Sequence, residues 1–130
     1  MGETRTGLEL RSTVTEGELR LSLEEVTLDP PGDDEVIVRV EAAPINPSDL
    51  GLLLGPADMA TLKPGGTAER PTLTASIPPQ RMPYLQARLD QSMPVGNEGA
   101  GTVVAAGANV AGLLGRKVGM IGGGMYTRFR

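Results

Sequence analysis

The sequence predicts a mainly β, antiparallel domain with one or two short helices. Two segments alternate apolar and polar residues with the period of a strand. Glycine and proline, with 18 and 11 copies, are frequent enough to end many short elements. Aromatic residues make up only 2% of the chain, so the core must be built from aliphatic side chains and methionine. A chain of 130 residues has the length of one domain.

The first alternating segment is GELRLSLEEVTL. Leu19, Leu21 and Leu23 share one face, and polar residues such as Arg20 and Ser22 share the other. A period of two places one face on a core and the other in water, which predicts a half-buried strand.

The second alternating segment is EVIVRVEAA. Val36, Val38 and Val40 are expected to point inward and Ile37 outward. The intervening DPPGDDE, residues 29–35, is typical of a turn. These features predict two antiparallel strands joined by a short loop.

The segment PINPSDLGLLLG then interrupts the strand pattern. Pro44 and Pro47 cannot donate to a β-ladder, so the strand ends here. Either Ser48 or Asn46 is a suitable N-cap for a short helix over SDLGLLL, and Gly55 is a suitable end.

The remaining chain divides into an irregular and a regular part. Residues 56–93 show no sustained period and predict a long irregular excursion with one short helix near PYLQARLDQ, of the kind that is usually functional or mobile. GTVVAAG predicts a strand buried on both faces, and another strand is expected near Lys117 to Ile121. The final MYTRFR alternates like a strand that is only beginning, which leads us to expect that the fold continues beyond residue 130.

Composition excludes several classes of function. A net charge of −4 without a basic stripe argues against nucleic acid as a partner. The chain has no Cys and no His, so it forms no disulfide and lacks the two commonest zinc ligands. No apolar run is long enough to span a membrane, and the polar start is unlike a signal peptide, so we expect a cytoplasmic protein. No Walker loop or G-x-G-x-x-G fingerprint is present.

Two groups of residues are candidates for a site. Asn46, Pro47, Ser48 and Asp49 fit either an ordinary helix N-terminus or the rim of an active site. Glu98, which lies among three glycines, is either an exposed acid in a turn or a buried carboxylate whose need for partners would mark a site.

Taken together, INPSDL, PVGNEGAGTVVAAGANV and GRKVGMIGGGMYTRF resemble the medium-chain dehydrogenase/reductase superfamily, in particular its zinc-independent, quinone-oxidoreductase-like branch. The resemblance covers most of the chain outside about residues 56–93. It implies a GroES-like, partly open β-barrel in which residues 1–130 form the substrate-side domain, with 56–93 as an inserted loop and a Rossmann cofactor domain expected after residue 130. Arg116, Thr127 and Arg128 depart from the family's pattern.

The resemblance also implies the absence of zinc. Asn46 and Asn97 match the positions of a ligand Cys and a ligand His in zinc-dependent members. A neutral amide oxygen is a poor zinc ligand beside a thiolate or an imidazole, so we expect no metal at either position.

The chemistry implied by the resemblance is hydride transfer from NADPH to a quinone or a conjugated carbonyl. Asn46 and Pro47 would then contact the nicotinamide, and Asn46 and Ser48 the substrate. Asp49 would orient its neighbours, and the resemblance implies the same role for Asn97 and Glu98.

Other points stay open at this stage. Enoyl-reductase relatives carry a proton-donating Tyr shortly after the NPxD motif, and here only Tyr84, within the excursion, remains as a candidate. The alternative function is a free-standing GroES-like binding or assembly module without catalysis. A small-molecule substrate is the expected partner, a homodimer is left open, and the chain alone is expected to be inactive.

Overall fold

The computed structural model describes residues 2–130, which form two β-sheets and several short helices. The strands are β1 (Arg5–Thr15), β2 (Glu18–Leu28), β3 (Val36–Ala42), β4 (Lys63–Gly66), β5 (Pro71–Ser76), β6 (Ser92–Pro94), β7 (Glu98–Ala106) and β8 (Lys117–Ile121). The helices are α1 (Leu50–Leu53) and four 3₁₀ segments at Pro47–Asp49, Met59–Thr61, Pro79–Arg88 and Ala108–Leu113.

The strands form an open five-stranded sheet, in the order β4-β5-β2-β1-β6, and a three-stranded sheet, in the order β3-β7-β8. The strand pairs between β1 and β6, β2 and β5, β3 and β7, and β7 and β8 are antiparallel. The predicted mainly β class with a few short helices is therefore confirmed. None of the helices formed by residues 2–130 has the length and hydropathy needed to cross a bilayer.

The chain divides into two compact units. Unit one comprises the chain up to Glu9, Glu25–Pro44 and Gly96–Arg130, and unit two comprises Leu10–Glu24 and Ile45–Val95. The core of unit two contains a cluster of buried aliphatic residues: Val14, Leu19, Ala57, Ala75, Ile77 and Met82. In unit one the buried apolar side chains include Ile37, Val38, Val103 and Met125.

The predicted hairpin between β2 and β3 is wrong. β2 lies between β1 and β5, whereas β3 pairs with β7. The connection between β2 and β3 forms hydrogen bonds with the segment that follows β7. The Glu35 carbonyl accepts from the Gly107 N–H at 2.8 Å, and the Asp33 carbonyl accepts from the Asn109 N–H at 2.9 Å. Strand β1 was not predicted at all.

Two predicted orientations are also wrong. Ile37, expected to point outward, is buried beside Val38, because the register with β7 shifts between these two residues. Ser22, expected to face water, is 6% exposed, and its hydroxyl donates to Glu24 Oε1 at 3.0 Å.

The segment 56–93 is more regular than expected. β4 and β5 form a hairpin, and β5 pairs with β2 so that Leu19 lies opposite Ala75. The short helix predicted near PYLQARLDQ corresponds to the 3₁₀ segment Pro79–Arg88.

The C-terminal third matches the predictions more closely. The strand expected near Lys117 to Ile121 is confirmed as β8. Within the predicted segment GTVVAAG, Val103 is buried, whereas Thr102 and Val104 on the opposite face are half-buried, so burial is confirmed for one face only. Arg128 and Arg130 continue the sheet beyond β3, because their carbonyls accept from Val40 and Val38.

Candidate functional site

The corner that follows β3 holds the first group of candidate residues. Asn46 is extended, with φ −91° and ψ 157°, and it is the N-cap of the 3₁₀ turn Pro47–Asp49. The Asp49 carboxylate accepts from the Asn46 backbone N–H at 2.8 Å, and the Asp49 N–H donates to the Asn46 carbonyl at 2.9 Å. The predicted helix is confirmed, and the N-cap is Asn46 rather than Ser48.

The side chains of this corner differ in accessibility. Asp49 is 1% exposed, so its carboxylate holds the turn from inside. Asn46 is half-buried, whereas Pro47 and Ser48 are exposed. The corner therefore presents a fixed amide and a hydroxyl that a ligand can reach.

Two residues that the sequence did not identify anchor the other end of this short helix. The Ser12 hydroxyl, which is fully buried, donates to the Leu52 carbonyl at 2.6 Å and accepts from Arg88 Nη2 at 2.9 Å. Burial lowers the pKa of Arg88, and its buried Nε has no hydrogen-bond partner within residues 2–130. No local pattern links residues this far apart in the chain, so the sequence offered no signal for this contact.

Tyr84, the remaining candidate for a proton donor, lies on the 3₁₀ segment Pro79–Arg88. Its side chain is 88% exposed. A side chain this exposed is not enclosed in a site, so we assign Tyr84 no role.

The second candidate region is a groove in unit one, with a volume of about 400 Å³. Its lining is mostly small or apolar: Ala42, Pro44, Glu98, Gly99, Ala100, Gly119, Met120 and Ile121. Glu98 is half-buried. It therefore fits neither of the two alternatives that the sequence left open, an exposed acid in a turn and a buried carboxylate. The groove therefore suits a largely apolar molecule.

Gly96, two residues before Glu98, allows a close approach of the backbone. Gly96 has φ +102°, and a Cβ there would lie 2.8 Å from Tyr126 Cδ1. Tyr126 in turn donates its hydroxyl to the Pro44 carbonyl at 2.9 Å. Asn97 is exposed, and its carbonyl accepts from the Gly122 N–H at 2.9 Å. These contacts fix the chain at the point where β7 and the groove begin.

A charged network crosses the three-stranded sheet next to the groove. Glu41 accepts from Lys117 Nζ at 2.6 Å, from Thr102 Oγ1 at 2.5 Å and from Arg39 Nη2 at 3.1 Å. These contacts lower the pKa of Glu41 from 4.5 to about 2, and the hydrogen bond from Lys117 makes the largest contribution. Glu41 and Lys117 also line a second cavity, of about 360 Å³, but their charges are already paired.

The two asparagines belong to different units. Asn46 lies in unit two and Asn97 in unit one. Asn46, Ser48 and Asp49 lie together at the corner after β3. Glu98 lines the groove in unit one.

The donor set does not fit zinc. The chain contains neither Cys nor His, and no three carboxylates within residues 2–130 come close enough to hold a metal ion. Amide oxygens from Asn46 and Asn97 are weak ligands for this ion.

Residues 2–130 therefore form an open, mainly antiparallel β-domain whose third strand leads into a capped corner. The alcohol dehydrogenase GroES-like domain family matches residues 32–127, which is more than half of the chain. The chain belongs to this family, the N-terminal domain type of the medium-chain dehydrogenases/reductases. Comparison with curated proteins finds no match.

Proposed function

We propose that the chain is the substrate-side domain of an NADPH-dependent, zinc-independent oxidoreductase that reduces a quinone or a conjugated carbonyl. The observation that carries this proposal is the combination of an alcohol dehydrogenase GroES-like domain with a chain that has no Cys and no His. Without thiolate or imidazole ligands, polarisation of the substrate carbonyl falls to hydrogen-bond donors.

In this proposal Asn46 and Pro47 contact the nicotinamide, and Asn46 and Ser48 contact the substrate. When bound, NADPH would supply the hydride, and a proton from water would complete the hydroquinone or the reduced carbonyl compound. The fixed backbone of Asn46, bonded to Asp49, supports a positioning role for its amide, and the exposure of Ser48 supports proton relay through its hydroxyl.

Asp49, Asn97 and Glu98 orient the residues around them in this proposal. Burial of Asp49 and its bond to Asn46 support that role for Asp49. The hydrogen bond from the Gly122 N–H to the Asn97 carbonyl supports an orienting role for Asn97 at the start of β7. The mostly apolar lining of the groove that contains Glu98 supports an apolar substrate rather than an anionic one.

The experiment uses the natural gene product and follows loss of NADPH absorbance with para-naphthoquinone as acceptor. We expect turnover that a zinc chelator leaves unchanged. Asn46→Ala is expected to lower kcat/KM about 100-fold, the effect of losing one donor to a developing oxyanion. Asn109→Ala, which removes a surface amide bonded to Asp34, is the matched control and is expected to keep full activity.

Two results would count against the proposal. Loss of activity with the chelator and recovery with zinc would show a metal-dependent enzyme. Absence of NADPH consumption with quinones and conjugated carbonyls alike would favour the alternative, a GroES-like binding module.

A further inference from the structure

The outer edge of β8 pairs with no other strand within residues 2–130, because β8 ends the order β3-β7-β8. The other ends of the two sheets carry features that discourage a further strand: β4 contains Lys63 and Pro64, β6 has three residues and ends in Pro94, and β3 is bonded to the C-terminal residues. β8 has five residues and no proline, and the side chain of Ile121 is 93% exposed.

Two hydrogen bonds fix the phase of the ladder between β7 and β8. The Gly122 N–H donates to the Asn97 carbonyl at 2.9 Å, and the Val103 N–H donates to the Arg116 carbonyl at 2.9 Å. In an antiparallel pair, hydrogen-bonded and non-hydrogen-bonded residue pairs alternate along the strands. The even-numbered residues of β8 therefore carry its bonds to β7.

The odd-numbered residues of β8 present their main chain to the open edge. Gly119 lies opposite Ala100, and this pair is non-hydrogen-bonded in the observed phase, as are the pairs that Lys117 and Ile121 form with β7. The N–H and C=O groups of these three residues therefore point outward in the plane of the sheet. They form an alternating row of donors and acceptors with which a strand in the same plane can pair.

Lys117 stands at the start of this edge, where a lysine commonly discourages the approach of a second strand. Its ammonium group is turned away from the edge, because it donates to Glu41 on β3 at 2.6 Å and to Thr102 on β7 at 2.7 Å. The side chain thus crosses the face of the sheet towards β3, where its charge is paired. It therefore does not guard the outer edge of β8.

We propose that two copies of this chain associate by antiparallel pairing of β8 with β8. The edge is self-complementary, because a two-fold axis through Gly119 brings each outward N–H opposite an outward C=O. In this register all five residues of β8 are paired, and Lys117 lies opposite Ile121 of the second copy. The two Lys117 residues are then about 13 Å apart along the strands, so like charges do not face each other.

The side chains along the edge favour a second copy as the partner. In the Gly119 register the exposed Ile121 side chain lies beside the aliphatic stem of Lys117 from the second copy, on both sides of the axis. A Cβ on Gly119 would meet no atom within 4 Å, so the face of the sheet is open at the axis. An edge of five residues buries less area than a stable interface needs, so we expect a weak dimer. The pairing does not depend on the proposed reductase function.

The test begins with sedimentation equilibrium of the 130-residue chain between about 10 µM and about 1 mM. We expect a reversible equilibrium between monomer and dimer that stops at the dimer, because the pairing consumes the edge of each copy. Isotope-filtered NMR of mixed labelled and unlabelled chains then locates the contact. Val118 and Met120 of the second copy form a non-hydrogen-bonded pair across the new ladder, so we expect an intermolecular signal between their Hα atoms.

Substitutions at the edge supply the decisive variants. Gly119→Pro removes an outward N–H and spares the bonds of β8 to β7, so the dimer dissociation constant is expected to rise about tenfold. Gly119→Ala keeps the N–H and its Cβ meets no atom within 4 Å, so it is the matched control and should dimerise like the parent.

A second pair of variants covers the case in which Gly119→Pro fails to fold. Ile121→Lys changes an exposed side chain and adds a charge at the open edge, beside Lys117 of the second copy, so we expect weaker association by about tenfold. Leu62→Lys adds the same charge at an exposed position outside β8 and should leave the dimer unchanged.

Three outcomes would overturn the proposal. They are a chain that stays monomeric up to about 1 mM, a dimer without the contact between Val118 and Met120, and a dimer that Ile121→Lys leaves unchanged. Growth beyond the dimer would likewise show association through a different surface.

Discussion

Gly101 and Gly119 show how the same residue type serves two purposes in one sheet. A Cβ on Gly101 would overlap the Arg39 carbonyl on the neighbouring strand, whereas a Cβ on Gly119 would meet nothing within 4 Å. We expect Gly101→Ala to lower the free energy of unfolding by about 1–3 kcal/mol, because overpacking forces backbone shifts. Gly119→Ala is the matched control and should stay within about 0.5 kcal/mol. Urea titrations of both variants measure this difference, and equal stabilities would contradict it.

Glu41 makes stability depend on pH through its three donors. Its pKa is lowered from 4.5 to about 2 in the folded chain, mainly by Lys117. A lowered carboxyl pKa contributes stability above the unfolded value and loses it as pH falls through the folded value. We therefore expect Glu41→Gln to be less stable than the parent near neutral pH, and the difference to vanish as pH falls from about 4.5 to about 2.

Urea unfolding at a series of pH values measures the Glu41 effect. The side chain is 36% exposed, so high salt should also shrink the difference between the parent and Glu41→Gln. Glu18→Gln, on an exposed position of β2, is the control. A difference that persists unchanged at the lowest pH would contradict the assignment to this carboxylate.

The residues of the corner could be identified from the sequence, but the structural role of each residue could not. Asn46, Ser48 and Asp49 are all good capping residues, so the sequence located the helix start and offered two candidate caps. The structure selects Asn46 because Asp49 bonds to its N–H from a buried position. Burial of that carboxylate depends on packing, which a local pattern does not contain.

At the level of secondary structure, the sequence predicted β8 and the short helix well and the pairing of strands poorly. Adjacent alternating segments suggested that β2 and β3 pair, but β1 and β5 occupy both sides of β2. β5 carried a signal in the alternation of Leu73, Ala75 and Ile77, which the surrounding prolines and threonines obscured. Ile37 could not be assigned correctly, because a bulge in the register shifts a side chain to the other face.

The short helix that carries the corner depends on a contact from β1. α1 has four residues, too few to be stable alone, and its Leu52 carbonyl accepts from the fully buried Ser12 hydroxyl. Ser12→Ala leaves this carbonyl and Arg88 Nη2 without that partner, so we expect a loss of about 1–3 kcal/mol in the free energy of unfolding.

Hydrogen exchange locates the Ser12 effect. The amides of Leu54 and Gly55, which donate to Leu50, should exchange faster in Ser12→Ala. Ser92→Ala removes an exposed hydroxyl bonded to Arg11 and is the matched control, with little expected effect. Unchanged exchange at Leu54 and Gly55 would show that α1 is held by other contacts.

For the molecule as a whole, the class of fold followed from periodicity and composition, and the family from motif spacing. INPSDL and GNEGAG lie within the matched range 32–127. The groove was beyond sequence reasoning, since Pro44, Ala100 and Ile121 line it from three separate segments. Its mostly apolar lining becomes visible only once these residues are brought together.

We do not expect the described chain to bind NADPH tightly. A dinucleotide pyrophosphate is usually held at the N-terminus of a helix after a glycine-rich turn. Within residues 2–130 the single α-helix has four residues, and the sequence lacks the G-x-G-x-x-G fingerprint. A net charge of −4 further opposes a polyanionic ligand.

We therefore expect isothermal calorimetry of the 130-residue chain to show no micromolar binding of NADPH, with ADP as a control for weak electrostatic association. Saturable micromolar binding of NADPH but not ADP would place a cofactor site within this domain itself. The proposal that this domain contacts the substrate while another domain binds the cofactor would then be wrong.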